Sequence, residues 1–553
     1  MQTDRASLTD AHSDGPRGSG AAAMIARGAL IIAALTTLSR MLGLVRTVVF
    51  AQSVGAGCLG TAYVTANTVP NLIYELALGG ALASAMVPVL ARAARRADQD
   101  ERQKAYVTQV TSALLTWAVL ILAPVTVAIA LLARPIADLL IPANPNATCA
   151  RPAMLGTTTD LIVAFAPQIM LYGVSVVLTG LLQAYRRFTG PTLAPVLGNV
   201  VTITSYLVFA SLDKNAPLAR TPMVAQLVLS IGTTLNIGML VLVALPPTWR
   251  LGLRLRPTLR FPPGVISRAG GLALVGLLEF VAGDVQSVVT IALANGRGDT
   301  GALVLVNYSS LVFASVCAVL PVAIVTSVFP VLSASDGPVF DRTSAGSTRA
   351  VMLMSWLGTA VIAAVAVPAA HVLARQPDQV TQLAQSFLLY APGVAGFALI
   401  TMASRVLFAL GRLRAAGIGL VAGPLLQIAV SIPLALFAPP RLVVPALALG
   451  STVALLAVSV PMMVAVERLR GPAALDGLGH ATLAGITAGV LGSGVGVGIT
   501  LALPSGGKLY EAGVGAVAAL LALLAFGVWA YALDRGDLRM VAARLRQFVR
   551  TRT

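Results

Sequence analysis

Charge is scarce in this sequence, and histidine, cysteine and lysine are scarcer still. Only 11% of the 553 residues are Asp, Glu, Lys or Arg, whereas 57% are hydrophobic and the mean hydropathy is +0.86. A soluble globular fold of ordinary composition does not reach such values. Three cysteines supply no disulfide framework, and with three scattered histidines (His12, His371, His480) they offer no metal-ligand spacing. Nor is there an HExxH, a CxxC, a GxxxxGK[ST] or a GxSxG at a strand-helix turn. The reading is therefore not an enzyme, with no cofactor and no metal. Residues 1–20 lack a basic n-region leading to a short apolar core and cleavage site, so the first apolar span is expected to stay as an anchor.

What the chain has instead is long apolar runs. A bilayer core asks for about 20 apolar residues per helix, and Gly, Pro and charge clusters cut the sequence into about fourteen such segments. The expected spans are 25–52, 61–91, 105–133, 157–185, 191–211, 223–246, 265–294, 300–334, 349–373, 382–411, 415–438, 443–467, 480–503 and 511–533. The fold class is thus an all-α polytopic membrane protein. Most of the 38 Lys and Arg fall in the tails and in alternate loops: Arg92, Arg95, Arg96, Arg102 and Lys104; Arg186 and Arg187; Arg250, Arg254, Arg256, Arg260 and Arg268; and the run from Arg535 to Arg552. Basic loops stay inside, which puts both termini in the cytoplasm. The net charge of +17 then reflects topology and attraction to anionic membrane lipids, not nucleic acid. Cys58 and Cys149 both fall in outward loops, where a disulfide is chemically permitted; a bridge and two separate thiols both remain open.

Two pairs of segments repeat. "FAPQIMLYGVSVVLTGLLQAYRR" from Phe165 resembles "YAPGVAGFALITMASRVLFALGR" from Tyr390, and "ALASAMVPVL" from Ala81 resembles "AIVTSVFPVL" from Ala323, with Pro88 matching Pro330. The spacing implies two six-helix halves in the same orientation, a parallel repeat of the kind transporters use around a midplane site. The expected division is a disordered tail 1–24, an N-lobe 25–246, a basic cytoplasmic linker 247–264, a C-lobe 265–467, two further helices within 468–533 and a basic tail 534–553.

The first span holds two arginines, and an intramembrane charge is a functional candidate by default. At roughly 100° per residue, Thr36, Ser39, Arg40, Gly43, Arg46 and Thr47 share an arc of about 120°. Gly43 lies between the arginines, where a missing side chain lets a ligand approach the backbone. Arginine binds phosphate or carboxylate bidentately and stays charged, so either an anionic headgroup or a neighbouring helix is its partner. Glu75 in the second span and Glu279 and Asp284 in the seventh are acidic partners; by depth, Arg40 matches Glu279 and Arg46 matches Asp284. They serve as gate, ion or proton site, or structural ion pair. Arg405, near the inner end of the tenth span, reads as a snorkelling side chain. Gly485, Gly489, Gly492 and Gly496 form a small-residue stripe suited to close helix packing.

"LSRMLGLVRTVVFAQSVGAG" followed by "NTVPNLIYELALGGALASAMVPVLARA" resembles the opening helices of the MurJ (MviN) lipid II flippases of the multidrug/oligosaccharidyl-lipid/polysaccharide exporter superfamily, in the form found in high-GC Gram-positive bacteria. Beyond residue 100 the likeness is mainly architectural. The resemblance implies export of lipid II, the undecaprenyl-pyrophosphate-linked peptidoglycan precursor, to the outer leaflet of the bacterial cell membrane by alternating access. It also implies a cationic central cavity, a groove at the last two helices for the lipid tail, and cell-wall synthesis proteins as partners. Carried onto this sequence, it points to Arg40 and Arg46, with Ser39, Gly43 and Asn71, as substrate-binding residues, and leaves Glu75, Glu279 and Asp284 for gating or ion coupling. The chain departs from the family pattern at Thr61, at Tyr74 and Glu75, and at Leu311, which makes its cavity less basic. An exporter of another polyprenyl-linked glycan or of a drug, and a non-transporting scaffold, are the competing readings.

Overall fold

The computed structural model describes residues 17–77, 90, 93–94, 96, 100–213, 218, 221–262 and 265–533; for 17–30, 33, 77 and 265–275 only the backbone course is described. Fourteen long helical segments follow in chain order, with a short helix at Ala133–Leu140 between the third and the fourth. They are α1 (Arg17–Ser53), α2 (Cys58–Ala77), α3 (Glu101–Leu131), α4 (Arg151–Ala184), α5 (Thr189–Asp213), α6 (Met223–Trp249) and α7 (Val265–Arg297). The second half continues with α8 (Ala302–Ser333), α9 (Gly337–Leu373), α10 (Pro377–Ala409), α11 (Leu413–Phe437), α12 (Val443–Arg470), α13 (Leu478–Ala502) and α14 (Lys508–Leu533). All but α2 are long and apolar enough as described to cross a membrane. Pro88 and the rest of the inner end of the second span, and the tails 1–16 and 534–553, lie outside the described residues. α1 begins at Arg17, inside the stretch expected as a disordered tail.

Three spans are broken helices, and the breaks sit at proline. A proline inside a helix removes an N–H and crowds the carbonyl four residues back. α4 divides at Ala166 before Pro167, α8 at Leu320 before Pro321, and α10 at Ala391 before Gly393. The aromatic-Ala-Pro repeat is therefore a bend that occurs once in each half, with Phe165 and Tyr390 both buried beside it. The ends of α4 and α10 match as well. Arg187 N–H donates to the Leu182 carbonyl (2.8 Å) and Arg412 N–H to the Leu407 carbonyl (2.8 Å). Each of those residues follows one in the left-handed region, Arg186 (φ 58°) and Gly411 (φ 69°). That is the 6→1 bond of a Schellman cap, placed twice at the repeat spacing.

Packing repeats too. α1 packs on α5, α5 on α6, α4 on α6 and α2 on α4; correspondingly α7 packs on α11, α11 on α12, α10 on α12 and α8 on α10. α13 and α14 lie against α9 and each other. The glycine stripe permits this: a side chain on Gly485 would run into the Trp356 ring, and one on Gly492 would meet the Ala522 carbonyl at 2.9 Å.

At the end of the bundle where α1 meets α2 the halves are sewn together. Cys58, at the start of α2, is disulfide-bonded to Cys149, just before α4, so the bridge left open by the sequence is made. Asn295 donates to Thr65 Oγ1 (3.1 Å) and to the Leu140 carbonyl (2.8 Å), and Gln379 donates to the Ala56 carbonyl (2.8 Å). Gly301, at φ 90°, caps α8 where a side chain would collide with the Ala56 carbonyl. Gln52, at the end of α1, bonds to the Val372 carbonyl (2.6 Å) and also meets Arg375 and Lys508. Along α1, none of the side chains described between Ile31 and Val49 is buried, whereas Phe50 and Ala51 are.

Candidate functional site

A polar cavity of about 230 Å³ opens where α1, α2, α4, α5, α6 and α8 converge. α1 contributes Arg46, Thr47 and Phe50, and α2 contributes Tyr63, Asn67, Thr68 and Asn71. Tyr172, Thr202, Tyr206, Thr233 and Asn236 complete the N-terminal side, and Asn307 with Tyr308 closes it from the second half. Arg46 is the cationic member of this lining, and it lies within electrostatic reach of the Tyr63, Tyr172 and Tyr206 phenols.

The phenols are held by one another. The Tyr63 hydroxyl is 2.9 Å from that of Tyr206 and 2.6 Å from Thr233 Oγ1. Phe50 packs on Tyr63 and Tyr206 at ring separations of 5.3 and 5.2 Å. Tyr172 donates to Asn71 Oδ1 (2.8 Å) and stacks on Tyr74 at 4.1 Å. A wall of hydroxyls and amides around one guanidinium can bond a phosphate or sugar while contributing little net charge.

Of the residues expected from the sequence, Arg46 and Asn71 line this cavity. Arg40 lies about 9 Å further along α1 at 1.5 Å per residue and is exposed. Gly43, between them, has open space where a side chain would stand. The Ser39 carbonyl accepts from Asn199 (3.1 Å), which ties α1 to α5.

The acidic residues are arranged differently from the depth match. Among the described residues Arg40 and Arg46 form no ion pair with Glu279 or Asp284. Asp284 is 8% exposed, and neither of its carboxylate oxygens has a hydrogen-bond partner among the described residues. Its electrostatic neighbour is Glu75 across the α2–α7 seam, and that of Glu279 is Arg405. The Arg405 guanidinium lies over the Phe329 ring at 5.4 Å. Sequence depth fixes height along a helix but not the direction a side chain takes around it.

The cavity tyrosines escaped the sequence reading, although Tyr63, Asn67, Asn71 and Tyr74 recur at steps of four, four and three on one face of α2. That spacing was the available signal.

The family model for lipid II flippase MurJ matches residues 50–499. The chain belongs to the MurJ lipid II flippase family. The match extends far beyond residue 100, so the family likeness is not confined to the opening helices. A lipid II flippase MurJ of Burkholderia cenocepacia is 25% identical over 396 residues, 68% of this chain and 71% of that protein. A solved structure of lipid II flippase MurJ in an inward closed conformation shares the fold, with a TM-score of 0.70 at 15% identity over 92% of this chain and 99% of that one. An inward-facing MATE family multidrug resistance transporter of the MOP superfamily follows at a TM-score of 0.60 and 14% identity, covering 81% and 98%. Among the described residues the fold is all-helical, and it is shared with both of these transporters. Tyr74, which stacks on Tyr172, and Glu75, within electrostatic reach of Asp284, stand at the positions expected from the sequence to differ from the family pattern.

Proposed function

We propose that this MurJ-family chain carries lipid II from the cytoplasmic to the outer leaflet by alternating access, with Arg46 receiving the pyrophosphate. The observation that carries the reading is a single intramembrane guanidinium set in a neutral, hydroxyl-rich cavity between the two halves. Burying an unpaired arginine in a membrane is costly, and a bidentate anion offsets that cost. Arg40, on the same helix nearer the basic end, meets the headgroup first, and Ser39 and Gly43 lie on its path past α1. Asn71, already holding the Tyr172 hydroxyl, orients the sugar side of the cavity. The lipid tail stays in the bilayer along α13 and α14.

Both termini and the arginine-rich loops face the cytoplasm, as the distribution of basic residues supports. The lobes are 25–246 and 265–467, joined by the linker 247–264. With the outward end joined and α1 exposed toward the basic end, the chain is in an inward-facing state. Glu75 and Asp284 repel each other across the α2–α7 seam, and a proton or monovalent cation held between them couples closure of the halves to ion entry; Glu279 with Arg405 steadies α7 in the same motion. Membrane lipids surround the bundle, and cell-wall synthesis proteins take the product.

Binding tests the site. The purified chain should retain added lipid II through native mass spectrometry, and Arg46→Ala should lose most of it, with Arg46→Lys intermediate because the fork geometry is gone. Equal retention by Arg46→Ala and wild type would remove Arg46 from the site.

A further inference from the structure

α3 changes character along its length: residues 101–113 are polar, and residues 114–131 are strongly apolar. Its first third therefore stands at headgroup level and the rest in hydrocarbon, with Trp117 at the boundary where tryptophan settles. Along that boundary lies the linker 250–260, held by its backbone. Arg256 N–H donates to Ser112 Oγ (3.2 Å), Thr258 N–H donates to Thr116 Oγ1 (3.0 Å), and Trp117 Nε1 donates to the Leu259 carbonyl (3.2 Å). Leu251 and Leu253 pack inward on the cluster around Val107 and Val110. The alternation turns Arg254 and Arg256 outward, where both are exposed. Among the described residues neither forms an ion pair.

Two depressions adjoin here. One, of about 700 Å³, is polar and is lined by Lys104, Thr108, Gln109, Arg254, Arg256 and Thr258, with Glu101 at its edge. The other, of about 390 Å³, is apolar and is lined by Leu115, Val119, Leu120, Leu255 and Pro257. They share Ser112 and Arg256. Lys104 reaches Glu101 at 3.7 Å, but that carboxylate is almost fully exposed, so three cations face one solvated anion.

We propose that this paired depression is a binding site for an anionic phospholipid, separate from the transport cavity. The phosphate lies among Lys104, Arg254 and Arg256, and one acyl chain lies in the groove formed by Leu115, Val119, Leu120 and Leu255. A free phosphate would leave the groove empty, and a zwitterionic lipid would bring a cation toward three others. In the topology proposed above the ligand comes from the inner leaflet, but the site and its test do not depend on that assignment or on the transported substrate.

The test titrates the purified full chain in phosphatidylcholine nanodiscs with dioctanoyl phosphatidylglycerol, counting bound lipid by native mass spectrometry. Arg254→Gln with Arg256→Gln should weaken saturable binding by about tenfold or more, since each basic residue near a lipid surface contributes substantially. Arg412→Gln with Arg414→Gln, exposed at the end of α10 and the start of α11, should leave the midpoint at the wild-type value. Leu120→Trp, which fills the groove, should weaken lipid binding without the loss of any charge. If the linker double variant does not fold, Lys104→Gln on α3 must weaken binding about fivefold. An unchanged midpoint in the linker or Lys104 variants overturns the proposal, as does an equal loss in the Arg412/Arg414 control or full displacement by glycerol phosphate at the same concentration.

Discussion

Asp284 is a carboxylate with no hydrogen-bond partner for either oxygen among the described residues, buried where membrane helices meet. An intramembrane charge in that condition is expected to find a partner or a role. The residue electrostatically nearest it is Glu75, so the energetic coupling belongs to the two acids and not to Arg46. In a double-mutant cycle with Glu75→Gln and Asp284→Asn, read as thermal stability of the purified chain, the coupling should exceed about 0.5 kcal/mol. The sign should be repulsive, so that each neutralisation alone captures most of the gain. The same cycle with Arg46→Gln and Asp284→Asn should be additive. Additivity in the first cycle, or clear coupling in the second, would restore the pairing by depth. The residue scale is also where the sequence was least legible. Arg46 was noticed because a charge stands out in an apolar run, and Asn71 because it belongs to the stretch that carries the family resemblance. Tyr63, Tyr172 and Tyr206 were not, because a tyrosine in such a run reads as an apolar residue until its hydroxyl is seen to have a partner.

Elements were more legible, because their boundaries are written in residues with one physical effect. The Ala-Pro pairs broke α4 and α10 where the repeat placed them, and Gly485 through Gly496 packed α13 onto α9 and α14 as a small-residue stripe should. The two Schellman caps add a prediction that follows from the repeat. Gly411 takes its left-handed conformation freely, whereas Arg186 adopts the equivalent one against a cost of about 1 kcal/mol for a residue with a Cβ. Arg186→Gly should raise thermal stability modestly, and Gly411→Arg should lower it; a fall in melting temperature for Arg186→Gly would show that the arginine side chain outweighs its backbone strain. The Cys58–Cys149 bridge closes a sequence separation of 91 residues across α2 and α3. Loss of a bridge over so long a loop typically costs about 2–5 kcal/mol. Reductant should therefore lower the melting temperature of the wild type but not that of the Cys58→Ser, Cys149→Ser double variant; no shift in the wild type would mean that the bridge does not constrain the fold.

At the scale of the whole molecule, two matched halves meet at one end through Asn295, Gln379, Gly301 and Gln52, and the proposed inward-facing state has them part toward the arginine-rich end. A cysteine at Gly43, which faces open space, should then react with a membrane-impermeant thiol reagent from the basic end and resist it from the other. Reaction from the outer side alone would reverse the assignment of the closed gate. The long apolar runs and the repeat made this architecture readable in advance, because both are properties of whole segments. Which side was closed was not readable, since hydrogen bonds such as Gln379 to the Ala56 carbonyl join residues 323 apart in the sequence. The central claim is movement of lipid II through the Arg46 cavity, and the direct measurement is leaflet-resolved labelling of lipid II with an impermeant reagent in cells depleted of their own flippase. Expression of this chain should restore outer-leaflet lipid II, and Arg46→Ala, present at the same level in the membrane, should leave it at the depleted value. Outer-leaflet lipid II that stays depleted with the wild-type chain, or recovers equally with Arg46→Ala, would contradict the account.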